Sequence, residues 1–446
     1  MNAKDIAQYT VEQALKAGAD EADVYLEQGR ESSVVVRMGE LETLKQATSK
    51  GLGLRVFQGN RLGFAYTSDF DKGSLKAFAA RTVEMAREIS ADSHNVLPET
   101  AVAATYPDLD LYDPEIAAIP MDWKVNTARQ MEKVGMAQDS RITNSGGSSV
   151  GEGDTEMVIA NSRGVLHAYR SSSVGISCSL VAEQDGKKQS GGWWAGKRFL
   201  KELDDPEAVA KKAAERTVRM LGARQPETAV VPVVFDPLMA AGFIGIIFGA
   251  LNGNSVMKRS TFMVDKLDQQ IAPDFFTLMD DPLLKRGRGS QPVDDEGVPT
   301  STKTVIDRGV LKMYFYDAYS AHKAGLQPSG NARRGYSSTP SVGSWNLYLK
   351  AGQHSPEEII KSVDKGLYLT STMGFGVNFA SGDMSRGAAG FWIEGGKLAY
   401  PVEEATIAAN LLDMLKNVTM IGNDLDFRSS TVAPTIKIEG ITVSGT

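Results

Sequence analysis

Apolar positions along the chain change period several times, and each change marks an element. From Ala3 to Ala17, Ile6, Val11, Ala14 and Leu15 fall near one helical face, and Gly18 suits the left-handed position that ends a helix. Alternation then takes over. Asp23 to Glu27, Ser32 to Met38, Glu40 to Ser49, Gly51 to Phe57 and Arg61 to Thr67 are alternating or β-branched segments separated by glycines, which predicts an antiparallel meander. A helix from about Lys72 to Ser90 covers one face of it. The acidic, proline-containing stretch from Ser93 to Pro120 reads as an extended connector, followed by a helix from about Asp122 to Gln138.

Thr155 to Glu183 reads as a long hairpin turning at Asn161-Ser162-Arg163-Gly164. The next helix is delimited by Asp205 as cap, Pro206 at the first helical position, where no amide donor is needed, and Gly222 at its end. Gln225-Pro226 marks the boundary between two domains, an N-terminal α+β domain over 1–225 and a glycine-rich, mainly β domain over 226–446. Val230 to Phe235 reads as a buried strand leading into an apolar helix from Pro237 to Leu251, and Ser355-Pro356-Glu357-Glu358 forms a capping box. Strands and helices come in blocks instead of strict βαβ alternation, so the predicted class is α+β, with mainly antiparallel sheets flanked by helices.

The densest signal lies at residues 381–404. Ala388 to Ile393 and Lys397 to Tyr400 read as two strands joined at Glu394-Gly395-Gly396, and Gly382, Gly387 and Gly390 point to another backbone or a ligand approaching closely. Together with Glu404-Ala405-Thr406-Ile407-Ala408-Ala409-Asn410-Leu411-Leu412, this stretch resembles the C-terminal signature of the TldD/PmbA family, the "modulator of DNA gyrase" proteins associated with metallopeptidase activity. The resemblance extends to Lys50-Gly51-Leu52-Gly53-Leu54-Arg55-Val56, Asp307-Arg308-Gly309-Val310-Leu311 and Gly330-Asn331-Ala332. The family's catalytic branch, TldD, carries a His-Glu-x-x-x-His zinc motif. None of His94, His167, His322 and His354 is followed by glutamate or has a second histidine close in sequence, so the chain resembles the PmbA (TldE) branch, which lacks the metal.

That resemblance implies a subunit with no catalytic residue, metal or cofactor of its own. It would act on unfolded peptides beside a TldD-like zinc-bearing paralogue as a heterodimer, or pair with itself as a homodimer. The alternative is a stand-alone homodimeric binding or modulator protein without proteolytic activity. The segment that should match the catalytic helix, Pro237 to Leu251, offers only apolar residues with Gly242, Gly245 and Gly249, and no side chain there can ligate a metal. Within the signature, Asp383, Ser385 and Arg386 are candidates to bind a peptide backbone or carboxylate, or else to brace the turn before Ala388. Asp294-Asp295-Glu296-Gly297 lacks the spaced ligands of a calcium loop and reads as an ordered loop whose carboxylates take up backbone amides. Ser320 stands two residues from His322, but no third, orienting residue can be named for a hydrolase, and His322 reads as a structural hydrogen-bonding group.

Composition narrows the field further. The net charge of −7 and the lack of a long basic tract argue against direct nucleic-acid binding. The glycine-rich segments Lys50 to Gly53 and Asn144 to Gly153 lack the Lys-Ser/Thr ending of a phosphate loop, so no nucleotide site is expected. Cys178 is the sole cysteine, which excludes an internal disulfide, fits a reducing compartment, and reads as a small buried hydrophobe. Lys4, Asp5 and Glu12 interrupt any secretory apolar region. The longest uncharged apolar run, Leu238 to Leu251, is shorter than the ~20 residues of a membrane span. A cytoplasmic protein with no membrane segment is the expectation.

Overall fold

The N-terminal alternation folds into strands far longer than the glycine spacing predicts. In the computed structural model, which describes residues 1–99 and 106–445, α1 (Ala3–Lys16) is capped by Asn2, whose side chain accepts from the Asp5 amide at 2.9 Å. After it come β1 (Glu21–Arg37), β2 (Glu40–Gln58), β3 (Arg61–Thr67), α2 (Lys72–Arg87), α3 (Met121–Met136), β4 (Ile142–Asn161), β5 (Leu166–Gln184), β6 (Lys187–Lys197) and α4 (Pro206–Val218). The six strands form one antiparallel sheet in the order β3-β2-β1-β4-β5-β6.

Three expectations are corrected here. The two strands predicted at Asp23 to Glu27 and Ser32 to Met38 are one strand. So are the two predicted between Glu40 and Phe57. The hairpin predicted to begin at Thr155 begins at Ile142, so the glycine-rich segment Asn144 to Gly153 is the first half of β4. The physical reason is the same each time. β1 is paired along most of its length with β2 on one side and β4 on the other, so its backbone groups are satisfied without a turn. Gly29 is needed for close approach: a Cβ there would lie 2.6 Å from the Asp154 carbonyl oxygen.

Strand alternation gives the sheet two different faces. Val24 and Leu26 are buried beneath α1 and α2, and Val34 and Val36 beneath α3 and α4. The intervening residues, Asp23, Tyr25 and Glu27 on β1 and Gly51, Gly53 and Arg55 on β2, point the other way, toward the C-terminal half. The connector crosses this molecule's surface with Leu109, Leu111, Ile116 and Ile119 buried and a hydrogen bond from the Ser172 amide to Leu111, while residues 100–105 of it lie outside the described residues.

The C-terminal half begins with β7 (Ala229–Phe235), α5 (Pro237–Ala250) and α6 (Gly253–Met257). Short elements follow: β8 (Leu278–Asp280), β9 (Lys303–Asp307), β10 (Val310–Leu311), α7 (Ala318–Ala324), β11 (Ala332–Arg333), β12 (Ser341–Val342), β13 (Leu347–Leu349) and α8 (Pro356–Lys361). Then come β14 (Lys365–Met373), β15 (Asp383–Glu394), β16 (Lys397–Asn410), α9 (Leu411–Lys416), β17 (Val418–Ile421), β18 (Thr431–Val432) and β19 (Ile436–Gly445). A five-stranded sheet runs β10-β9-β8-β13-β18, and a six-stranded one runs β16-β15-β14-β7-β19-β17. A further pairing of β16 with β19 closes five of those strands into a ring. Only β14 with β7 and β13 with β18 are parallel among the described ladders, and the class is α+β.

The β15–β16 hairpin turns at Gly395 and Gly396, with φ of 55° and 73°, values that cost glycine nothing. Gly390 answers to a backbone: a Cβ there would sit 2.0 Å from the Tyr368 carbonyl oxygen on β14. At α8 the capping box forms as the sequence predicts, with the Ser355 hydroxyl accepting from the Glu358 amide and the Glu358 carboxylate from the Ser355 amide. No helix among the described residues is long and apolar enough to cross a membrane.

Candidate functional site

Asp236 caps α5 by accepting from the Met239 amide at 2.9 Å, and Pro237 opens the helix. Its inner face buries Ala240, Phe243, Ile244 and Ile247 in the largest core. The other face carries Gly242, Gly245 and Gly249. A Cβ on Gly242 would meet nothing within 4 Å, while one on Gly249 would meet the Phe379 ring at 3.5 Å, so this face is open at Gly242 and flanked by Phe379 at Gly249. A catalytic zinc takes about three protein ligands. α5 supplies none, and among the described residues no group of three or more His, Cys, Asp or Glu is placed to hold a metal ion. The residues present do not fit a zinc ion at this helix.

Two histidines far apart in sequence do meet. His94 and His322, 228 positions apart, place their Nδ1 atoms 3.0 Å from each other, with the Tyr319 hydroxyl donating to Asp92 alongside at 2.9 Å. Ser320 is not oriented toward His322 as a nucleophile. Its hydroxyl donates to the Asp317 carboxylate at 2.5 Å, in the capping box of α7. Cys178 is buried beneath α3 and α4, and that burial pushes its thiol up.

The signature residues lie at the start of β15. Asp383 accepts from the Ser381 hydroxyl at 2.7 Å and from Asn410 Nδ2 at 3.1 Å, bonds that hold its carboxyl below the usual range. Arg386 donates through Nε to the Gly374 carbonyl, and the Ser385 amide donates to Gly376 at 2.7 Å. All three residues are thus tied to the segment 374–382. That segment presents Phe375, fully exposed, and the partly exposed Phe379.

The acidic loop does more than accept its own amides. Asp294 takes the amides of Glu296, Val298 and Ala332 at 2.9 to 3.1 Å, and Asp295 takes that of Arg334 at 2.8 Å. Glu296 receives the Ala318 amide and the Arg55 guanidinium, each at 2.8 Å. Arg55 also binds Asp23, which in turn takes a bond from Arg334 at 3.1 Å. Burial pushes Asp23 up, but Arg334 and Arg55 outweigh it and hold the carboxyl below its usual value. Tyr336 packs directly on Gly51 and Gly53, where a Cβ would meet its ring at 2.3 Å and its carbonyl oxygen at 2.2 Å. The segments 50–56, 294–297 and 330–332, separate in sequence, therefore converge on one buried junction between the first sheet and the C-terminal half. Sequence reasoning missed Asp23, Arg55 and Arg334 as a unit. The available signal was Arg55 sharing the parity of Gly51 and Gly53.

Three family models match the chain: PmbA/TldA metallopeptidase domain 1 over residues 22–86, the central domain over 114–221 and the C-terminal domain over 228–445. The metalloprotease PmbA of Escherichia coli O157:H7 is 35% identical over 429 residues, spanning 95% of this chain and 93% of that protein. A crystal structure from Bacteroides thetaiotaomicron, described as a modulator of DNA gyrase, superimposes with a TM-score of 0.92 at 30% identity over 99% of each chain. The crystal structure of TldE from Thermococcus kodakarensis gives 0.89 at 22% identity, over 99% of this chain and 100% of its own, a likeness of fold.

Proposed function

Because the chain belongs to the PmbA/TldD metallopeptidase family, we propose that it is a metal-free, PmbA/TldE-type subunit of a peptidase that processes unfolded peptides. A TldD-like partner carrying the His-Glu-x-x-x-His motif supplies the zinc chemistry. The observation that carries this reading is α5, which lacks any metal donor and leaves Gly242 and Gly249 exposed on its outer face. In a zinc peptidase the metal generates the attacking hydroxide, and binding alone does not replace that contribution. What this chain offers instead is surface. The α5 face open at Gly242 is flanked by Phe379, whose ring comes 3.5 Å from a Cβ built on Gly249, and Phe375 on the same loop is fully exposed. Exposed apolar groups so close together fit contact with another chain. Extended peptides can pair with strand edges through their backbone, which needs little side-chain specificity. The buried, solitary Cys178 supports work in a reducing, cytoplasmic compartment.

The same apolar face suits a second copy of this chain, and a stand-alone homodimeric modulator is the other reading it favours. Co-expression with a zinc-bearing paralogue, followed by size exclusion with light scattering, separates the two. The proposal expects a one-to-one heterodimer that displaces self-association. A persistent homodimer that ignores the paralogue would overturn it.

A further inference from the structure

The polar face of the first sheet and the C-terminal half enclose a cleft of about 650 Å³, within the ~300–1,000 Å³ range of small-molecule sites. Its floor comes from one parity of three neighbouring strands: Tyr25 and Glu27 on β1, Met157 on β4 and Tyr169 on β5. Asp295 and four arginines, Arg198, Arg288, Arg333 and Arg334, close it from the other sides.

Several arginine donors lining this cleft have no protein acceptor among the described residues. Arg334 has a side chain only 1% exposed and reaches Asp23 with one terminal nitrogen. Its Nε and its other terminal nitrogen have no hydrogen-bond partner among the described residues. Arg198 donates to the backbone carbonyls of Gly287, Arg288 and, at 3.5 Å, Ser172, and pairs with no carboxylate among the described residues. Burial lowers its pKa to about 10, with the charge of Arg288 adding to the fall. The Arg288 side chain makes no hydrogen bond or ion pair to a described residue, and desolvation lowers its pKa too. The Arg333 side chain reaches the Ser344 carbonyl and the Trp345 ring, with the Asp295 carboxylate in its field.

The opposing lining groups are mostly spoken for. Arg30 pairs with Asp154, Glu152 with Lys124 and Glu31 with Lys45. Asp295 accepts from Gln291 and from the Arg334 amide. The Glu27 carboxylate makes neither hydrogen bond nor ion pair to a described residue, and burial, with the charge of Asp295 beside it, raises its pKa; Glu152 Oε2 is likewise without a hydrogen-bond partner. Buried guanidinium nitrogens left without an acceptor, as on Arg334, cost free energy that a bound anion recovers. Two buried phenols add neutral donors, because the hydroxyls of Tyr25 and Tyr169 both donate to the Met157 thioether, at 3.1 and 3.2 Å, and a thioether is a weak acceptor.

We propose that this cleft binds a small zwitterion with a free carboxylate, a short peptide or its terminal amino acid. The carboxylate takes the free nitrogens of Arg334 together with Arg198 and Arg288, the tyrosine hydroxyls turn from Met157 to it, and the amine faces Glu27. The site stands on the cleft's own geometry and does not depend on pairing with a zinc subunit.

The test uses the full chain alone, by isothermal titration and thermal shift with trialanine, trialanine C-terminal amide and citrate. Trialanine should bind and raise the melting temperature, and the amide should bind at least about tenfold more weakly. Arg288→Gln removes a side chain with no hydrogen bond or ion pair to a described residue, so it should keep the parent's melting temperature while losing about tenfold in trialanine affinity. Tyr169→Phe should weaken the same complex. Equal binding of acid and amide, binding of citrate alone, no binding of trialanine at millimolar concentration, or an Arg288→Gln variant that binds as the parent does would each overturn the proposal.

Discussion

Arg55 on β2 donates to Glu296 across 2.8 Å, 241 positions away in the chain, and both side chains are buried. Through Asp23 the same guanidinium is linked to Arg334, so two arginines and two carboxylates balance one another at the seam between the halves. Removing Arg55 strands the buried Glu296 without its cation and leaves Asp23 with Arg334 alone, which costs far more than losing an exposed pair would. Arg55→Met should lower unfolding stability by about 3–5 kcal/mol in urea titrations. Replacing Arg55 and Glu296 together by methionine should cost less than the sum of the single changes, because neither charge is then stranded. Additive costs would show that the pair is not the link.

Two glycine substitutions should move stability in opposite directions. Gly53→Ala drives a Cβ to 2.2 Å from the Tyr336 carbonyl oxygen, a backbone atom that cannot swing away, and should destabilise by about 1–3 kcal/mol. Gly242→Ala meets nothing within 4 Å in a helix interior and should stabilise by about 0.5–1 kcal/mol. Thermal melting reads both. Gly242→Leu, which fills the open face of α5, should leave the isolated chain folded and weaken its association with the zinc-bearing paralogue.

His167 gives a pH signature. Burial, with Lys4 nearby, lowers it to about 4 from an ordinary 6.5, and its Nε2 has no partner among the described residues. The folded state therefore holds fewer protons on this ring than the unfolded state at intermediate pH. Its contribution to stability falls as pH drops from about 6.5 to about 4 and levels off below. His167→Phe keeps a ring between Tyr106 and Tyr169 and removes the titration. The variant's melting temperature relative to the parent's should rise as pH falls through that window. A constant difference would contradict the assignment.

Much of the fold was legible because its local signals agree with its tertiary contacts. The capping box at Ser355, the apolar helix after Asp236 and the Gly395-Gly396 turn are each fixed by groups within a few residues. Glycine misled where it serves close approach between strands. Gly29 and Gly51 look like strand breaks in sequence, but one packs on the Asp154 backbone and the other under Tyr336. The charged junction and the cleft were illegible for a different reason. Asp23, Glu296 and Arg334 come from three distant segments, and only the pairing of β1 with both β2 and β4 brings their faces to the same place.

At the signature hairpin, Asp383 and Arg386 are bound to Ser381, Asn410 and Gly374, so the contacts are those of a brace. Arg386→Ala and Asp383→Ala should lower the melting temperature. If the segment also faces peptide, Arg386→Ala should additionally reduce stimulation of the paralogue at temperatures where the variant stays folded. Loss of stimulation without any loss of thermal stability would assign the residue to substrate and not to the turn.

The central claim is that this chain contributes surface and its partner contributes the metal. The most direct measurement compares hydrolysis of an unstructured peptide by this chain, by its zinc-bearing paralogue and by the mixture, each with and without a chelator, alongside elemental analysis of each protein. The account predicts well under one zinc per copy of this chain, no cleavage by it alone, and cleavage by the mixture that exceeds the paralogue's own and disappears with chelator. Chelator-resistant cleavage by this chain alone, or a full equivalent of zinc that survives dialysis, would contradict it.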